Sequence, residues 1–349
     1  AAEARALVQG ALAAGTAPGA ATLGWRSAFL QREREWGPVG EEWAPDEIGL
    51  INCRSDVQYL DRPLGSGADG VVEAVVVRGR IVAIKRVKDG RESGKFGTER
   101  ELHYHRKLRG SPYFVQCLGA CDSVRHRCIL LERMHWRLSQ YHRLVAGTGV
   151  PLPQVHVRYI LERVLRGMIE LHERQDLAHG DLACRNVLVT VDFCGRLDQV
   201  KISDLGRVIR GAKFENMFQP SFSFAQNADI GAFGMMLYRM LTGDVFPTEC
   251  IEQQVLCPGL SYKVCRTLPP DAFGRLGPYY SLVALCVSEG TRPSFPLILS
   301  HLDDLDYFRD KRNPPLMLGA SALLAGSQRS TALTRCLPPH NVAGEVGRR

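Results

Sequence analysis

"LAHGDLACRNVLV", at Leu177–Val189, holds an Asp and an Asn five residues apart in an apolar frame. The stretch before it, "VHVRYILERVLRGMIELHER" (155–174), has a helical period, and Val187–Val189 reads as a strand. Asp181 and Asn186 therefore sit on a loop between a helix ending near His172 and a strand. Such oxygens suit a hard cation that shares its shell with substrate phosphates, plus one carboxylate to orient an attacking hydroxyl. Taken singly, either residue also reads as a turn or cap residue, the commoner fate of Asp and Asn.

Outward from this loop the other parts of such a site appear in order. Downstream, "KISDLG" (201–206) places Asp204 just after an apolar strand, as a third oxygen donor. Upstream, "LGSGADGVV" (64–72) spaces Gly65, Gly67 and Gly70 as G-x-G-x-x-G, with Val72 two residues on. Glycines let a backbone come close to phosphates because no Cβ intervenes. A dinucleotide site would want a helix straight after the loop, and here Val and Ala follow as a strand. Alone, the loop reads equally well as a turn-rich hairpin. "VAIK" (82–85) then forms a strand on which alternation puts Ala83 and Lys85 on one face. Ala83 can pack on a flat ring there, and Lys85 can reach phosphate oxygens. A Lys directed into a cleft needs an anionic partner, and the next helix offers Glu99 and Glu101.

With these segments in order, the text resembles the eukaryotic protein kinases from Leu64 to about Leu302. "LGSGADGVV" is similar to the glycine-rich loop, "VAIK" to the third-strand lysine motif, "HGDLACRN" to H-R-D-L-x-x-x-N and "DLG" to D-F-G. "ADIGAFGMMLYRMLTG" resembles the helix start that anchors the family's large lobe, and "TRPSF" its C-terminal Arg-Pro pair. The resemblance implies an α+β, bilobal protein-kinase-like fold, with a small antiparallel β lobe carrying one helix and a larger, mainly α-helical lobe. It implies ATP and Mg2+ as cofactors and a protein as acceptor substrate. It gives Asp181 the part of catalytic base, Asn186 and Asp204 those of metal ligands, and Lys85 that of phosphate holder. Glu101 would pair with Lys85, since it stands seven residues ahead of Leu108 at the family's usual spacing. Leu131 would be the gatekeeper, Glu132 to Met134 the hinge, and Leu188 the floor beneath adenine. Leu64, Gly65, Gly67, Gly70, Val72 and Ala83 would complete the nucleotide site.

The departures bear on regulation more than on chemistry. Gly180 replaces the Arg of H-R-D, which in the family clamps a phosphate on the activation segment. Leu205 replaces Phe. The segment from Asp204 to Asp229 is short for the family and has no A-P-E; Ser221 in "QPSF" stands nearest to its Glu. Arg292 would then lose that Glu as its salt-bridge partner. Ala183 and Arg185 follow the tyrosine-kinase pattern D-L-A-A-R-N, while the docking sequence ahead of A-P-E is missing. Tyr, Ser and Thr acceptors all stay open. Besides an active protein kinase, a nucleotide-binding pseudokinase scaffold and a kinase-fold enzyme acting on a small molecule or sugar fit the same residues.

The bulk numbers frame this. The chain has 349 residues, 45% hydrophobic and 23% charged, with a formal net charge of +7. That is enough to bury a sizeable core, and the mild positive balance suits anionic ligands. No basic block or aromatic-interleaved basic stripe points to nucleic acid. No run of about 18 apolar residues is present, so no membrane span is expected. The eleven Cys contain no C-x-x-C pair and read as thiols of a reducing, cytoplasmic setting. The chain opens on Ala1, as a fragment or processed form does, and its oligomeric state stays open. Residues 1–45 read as a flexible Ala/Gly-rich extension, 46–312 as the kinase-like domain with lobes at about 55–134 and 135–312, and 313–349 as a poorly ordered tail.

Overall fold

The computed structural model describes residues 48–53, 55–66, 70–86, 92–121, 128–192, 197–211, 222–245, 247, 251–257, 260–265, 268–288 and 292–310. The extension over 1–45, the tail over 313–349, Gly67 and Ser221 lie outside them.

The small lobe is a six-stranded sheet. Its strands are β1 (Gly49–Ile51), β2 (Val57–Ser66), β3 (Val71–Val77), β4 (Arg80–Arg86), β5 (Cys117–Cys121) and β6 (Cys128–Leu131), in the order β1-β5-β6-β4-β3-β2. Alternating β-branched residues drive β3 and β4, whose inward Val75, Val77, Val82 and Ile84 are fully buried. The turn between them is Arg78-Gly79, both with positive φ of 51° and 78°, joining the paired residues Val77 and Arg80. That backbone matches the twist of the strands, and Gly79 adopts it without strain. Among the described residues one helix, α1 (Glu92–Lys107), stands in this lobe.

Two features of the lobe depart from the sequence reading. β1 lies ahead of the strands read from the sequence, and it pairs with β5 in parallel, so the sheet is not wholly antiparallel. The cysteines are not all separate thiols: Cys53 and Cys121 are joined as a disulfide. They are 68 residues apart in sequence, and only the docking of β1 beside β5 brings them together.

The large lobe begins with β7 (Trp136–Arg137), α2 (Leu138–Val145) and α3 (Gln154–Ile169), the last extended by a π-turn at Glu170–Arg174. Then come β8 (Leu177–Ala178), β9 (Val187–Val191), β10 (Leu197–Ile202) and β11 (Ile209–Arg210). α4 (Phe222–Thr242), α5 (Ala272–Leu276), α6 (Tyr280–Val287) and α7 (Phe295–Asp310) follow among the described residues. α3 buries Val157, Ile160, Leu161, Val164, Leu165 and Met168 on one face, at helical spacing. α4 runs through the middle of this core, with Phe233, Leu237 and Met240 inaccessible to solvent. The sequence reading did not anticipate the antiparallel hairpin β12 (Ile251–Cys257) and β13 (Leu260–Cys265). Its short alternating strands and the Pro258-Gly259 between them are the local signal. Among the described residues no helix is long and apolar enough to cross a membrane.

Candidate active site

The two lobes meet over a cleft whose walls come from both. The Lys85 ammonium, on β4, lies 2.7 Å from Glu101 of α1 and 2.8 Å from Asp204 of the large lobe. Burial alone would push the Lys85 ammonium down; the Glu101 and Asp204 carboxylates outweigh it and hold its pKa well above the ordinary value. Burial likewise works to raise the Asp204 carboxyl, but the Lys85 ammonium beside it prevails and lowers it. Lys85 and Asp204 are therefore both charged at neutral pH. Between the two candidate glutamates the structure discriminates plainly. Glu101 is 4% exposed and faces Lys85, while Glu99 lies on the outer face of α1.

The loop after β8 is held from below. Asp229 of α4 is 2% exposed and accepts three hydrogen bonds. They come from the His179 N–H at 2.6 Å, the Gly180 N–H at 2.9 Å and the His172 Nε2 at 2.9 Å. Gly180 has φ +76°, and a Cβ there would lie 2.5 Å from the Arg207 carbonyl oxygen. Glycine is the residue that adopts this left-handed backbone without cost. So Gly180 removes a side chain that the family uses, and it also relaxes the turn that presents Asp181. His179 is fully buried. Its Nδ1 accepts the Asp181 N–H at 3.2 Å, and its Nε2 donates to the Ser203 carbonyl at 3.1 Å, which fixes the tautomer.

Asp181 is fixed at both oxygens. Oδ1 accepts from Arg185 and Oδ2 from Asn186 Nδ2, the latter at 3.0 Å. Asn186 Nδ2 also donates to the Asp181 carbonyl at 2.7 Å, so its Oδ1 is the end left for another partner. Asp204 adopts φ +65°, and its Oδ1 takes the Lys85 hydrogen bond, leaving Oδ2 as a donor atom. Asn186 Oδ1 and Asp204 Oδ2 are hard oxygens, the donor type that Mg2+ requires.

An apolar sandwich lies above these groups. Leu64, Val72, Ala83, Leu131, Met134 and Leu188 belong to one cluster with Val115 and Ile129, and Gly65 and Gly70 line the same cavity. Glu132 turns its side chain away from a ligand: its carboxylate accepts from Lys201 at 2.7 and 2.8 Å and from the Gln116 N–H at 2.7 Å. The Glu132 N–H donates to the Gln116 carbonyl at 3.0 Å, and Glu132 and Met134 both line the cavity.

A model of the protein kinase domain matches residues 59–258. The chain belongs to the protein kinase family. It is 30% identical over 269 residues to mitogen-activated protein kinase kinase kinase 13-A of Xenopus laevis, covering 71% of this chain and 25% of that relative. Against mitogen-activated protein kinase kinase kinase 10 of Mus musculus it is 29% identical over 241 residues, 62% of this chain and 25% of the relative. Against tyrosine-protein kinase Btk of Drosophila melanogaster it is 28% identical over 286 residues, 74% of this chain and 34% of the relative. The chain thus spans about a quarter to a third of the length of the curated relatives it matches.

Within this kinase domain, sequence reasoning missed one lining residue of note. Arg137, just past the hinge, lies across the cavity mouth, where a Cβ on Gly65 would run into its guanidinium. No motif marks it; its place at the junction of β7 and α2 is the only signal. The start of the activation segment is tied to α1: Arg100 donates to the Val208 carbonyl, and Arg210 Nε donates to Tyr104 Oη at 3.0 Å. Arg292 donates to the Asn227 carbonyl and, at 3.0 Å, to the Ser288 carbonyl. Of the four phenylalanines between Asp204 and Asp229, Phe224 packs against Ala178, Ile209 and Ala225. Phe214 and Phe218 lie outside the described residues.

Proposed function

We propose that this domain is an active kinase that transfers the γ-phosphoryl group of ATP to a protein hydroxyl, on Tyr or on Ser/Thr. The observation that carries the proposal is the Lys85 ammonium bridging Glu101 and Asp204 at 2.7 and 2.8 Å. That bridge sets a cation and a metal-binding carboxylate side by side beneath the glycine loop, as phosphoryl transfer needs.

Each residue then has one task. Leu64, Val72, Ala83 and Leu188 take the flat base between them, and the hinge backbone reads its edge. Glu101 holds Lys85, and Lys85 neutralises the α and β phosphate oxygens. Asn186 and Asp204 would hold Mg2+, which supplies positive charge against the phosphates when bound. Asp181 orients the acceptor hydroxyl and receives its proton on the carboxylate, while Arg185 and Asn186 keep that carboxylate in one rotamer. Removing the Arg of H-R-D does not disturb this set, because Asp229 fixes the loop through the backbone.

A radiolabelled ATP assay over a peptide library, with Lys85→Met as control, tests the proposal. Transfer to peptide that disappears in Lys85→Met supports it. Nucleotide binding without transfer to any hydroxyl by the folded wild type would overturn it.

A further inference from the structure

None of Cys53, Cys121 and Cys128 lines the nucleotide cavity; they meet at one end of the small-lobe sheet. Cys53 and Cys121 are bonded to each other. The Cys128 sulfur lies 2.8 Å from the Cys53 sulfur, and all three sulfurs lie within 4.8 Å of one another. The strand ladder accounts for the convergence. Cys121 and Cys128 are direct partners across β5 and β6. β1 runs parallel to β5 with Ile51 opposite Cys121, so the chain leaving β1 delivers Cys53 to the same end. Cys121 and Cys128 are 5% and 2% exposed, whereas Cys53 is half-buried. A thiol arriving from solution therefore meets Cys53 first.

We propose that these three cysteines form a thiol–disulfide exchange site in which Cys53 is the shared partner. In the exchange, the Cys128 thiol gives up its proton and its sulfur attacks Cys53 Sγ. The Cys53–Cys128 bond forms as the Cys53–Cys121 bond breaks, and the electron pair leaves on the Cys121 sulfur, which takes up a proton. The oxidation state of the trio is unchanged, so no oxidant is consumed. The crosslink moves from β5 to β6, and β1 stays tethered to the sheet in both isomers.

Burial pushes the Cys128 thiol up to about 12. The charged groups on that side are Arg86, across from it on β4, and Glu73, which pairs with Arg86; Tyr59 stacks on the same guanidinium. With so little thiolate at neutral pH, exchange is slow while the sheet end is closed.

The test keeps the full chain in a glutathione redox buffer, alkylates it with N-ethylmaleimide under denaturing quench, and maps linked peptides without reduction. In the wild type both Cys53–Cys121 and Cys53–Cys128 peptides are expected. In Cys121→Ser, alkylation should be lost at both Cys53 and Cys128; in Cys53→Ser both crosslinks should disappear. Should Cys121→Ser not fold, the wild-type map decides alone: a map with Cys53–Cys121 and no Cys53–Cys128 overturns the proposal. So does alkylation of both Cys53 and Cys128 in folded Cys121→Ser, or stoichiometric zinc shielding all three sulfurs.

Discussion

The Asp229 carboxylate accepts the Gly180 N–H at 2.9 Å, reaching from α4 to the residue that precedes Asp181. The same carboxylate takes the His179 N–H at 2.6 Å. Two backbone donors of this loop are thus fixed by one buried side chain, with no side chain at position 180 involved.

Gly180→Arg should therefore damage the loop rather than restore a phosphate clamp. A left-handed φ costs a non-glycine residue about 1–2 kcal/mol. The added Cβ also meets the Arg207 carbonyl oxygen at 2.5 Å. The expected outcome is a lower urea midpoint and a lower turnover, with no gain from phosphorylation. A variant at least as stable and active as the wild type would contradict the backbone account.

Lys85→Met should lower phosphoryl transfer on the order of 10²-fold or more, the scale of removing one charge stabiliser from such a site. The structure adds a stability cost, because Glu101 is left buried without its cation; breaking a pair of this kind costs on the order of 3 kcal/mol. The Lys85→Met/Glu101→Gln double variant should regain most of the stability and none of the activity. Thermal melts and the transfer assay on the same samples separate the two effects.

Asp204 sets a pH dependence with a definite sign. Its folded pKa lies below the ordinary 3.8. The stability it contributes is present above that ordinary value and is lost as pH falls through the folded one. Lys85, held above its ordinary 10.5, contributes fully below that value and loses its contribution only as pH rises through its folded pKa. Between those limits the bridge holds. In urea unfolding, Asp204→Asn should flatten the acid limb below about pH 4 relative to the wild type. Calorimetry should also show Mg2+-dependent nucleotide binding weakened more than Mg2+-independent binding, since an amide is the poorer ligand for a hard cation. Equal losses with and without Mg2+ would count against Asp204 as a ligand.

Activity should not require a phosphate on the activation segment. Arg100 to Val208 and Arg210 to Tyr104 already tie the start of that segment to α1, which carries Glu101. Phosphatase-treated protein and Ser221→Ala/Ser223→Ala should keep most of the untreated rate, whereas Arg210→Ala should lower it several-fold. A tenfold drop on phosphatase treatment, with folding unchanged, would place control elsewhere.

Much of this domain was legible in the sequence because its signals are local. The Val and Ala run after the glycine loop and the alternation in VAIK gave β3 and β4, and the apolar period of 155–174 gave α3. Asp181 and Asn186 share one loop, so their five-residue spacing could be read directly from the sequence. The short hairpin of β12 and β13 carried a weaker version of the same signal and passed unread.

What the sequence by itself determined was the family, the order of its motifs and the chemical identity of each group in the cleft. What only the tertiary structure decided were the contacts between segments far apart in the chain. Local periodicity and spacing say nothing of which strands lie side by side. That is why the grip of Asp229 on Gly180, Arg137 across the cavity mouth and the meeting of Cys53 with Cys121 and Cys128 emerged only once α4, α2 and β1 had been packed in place.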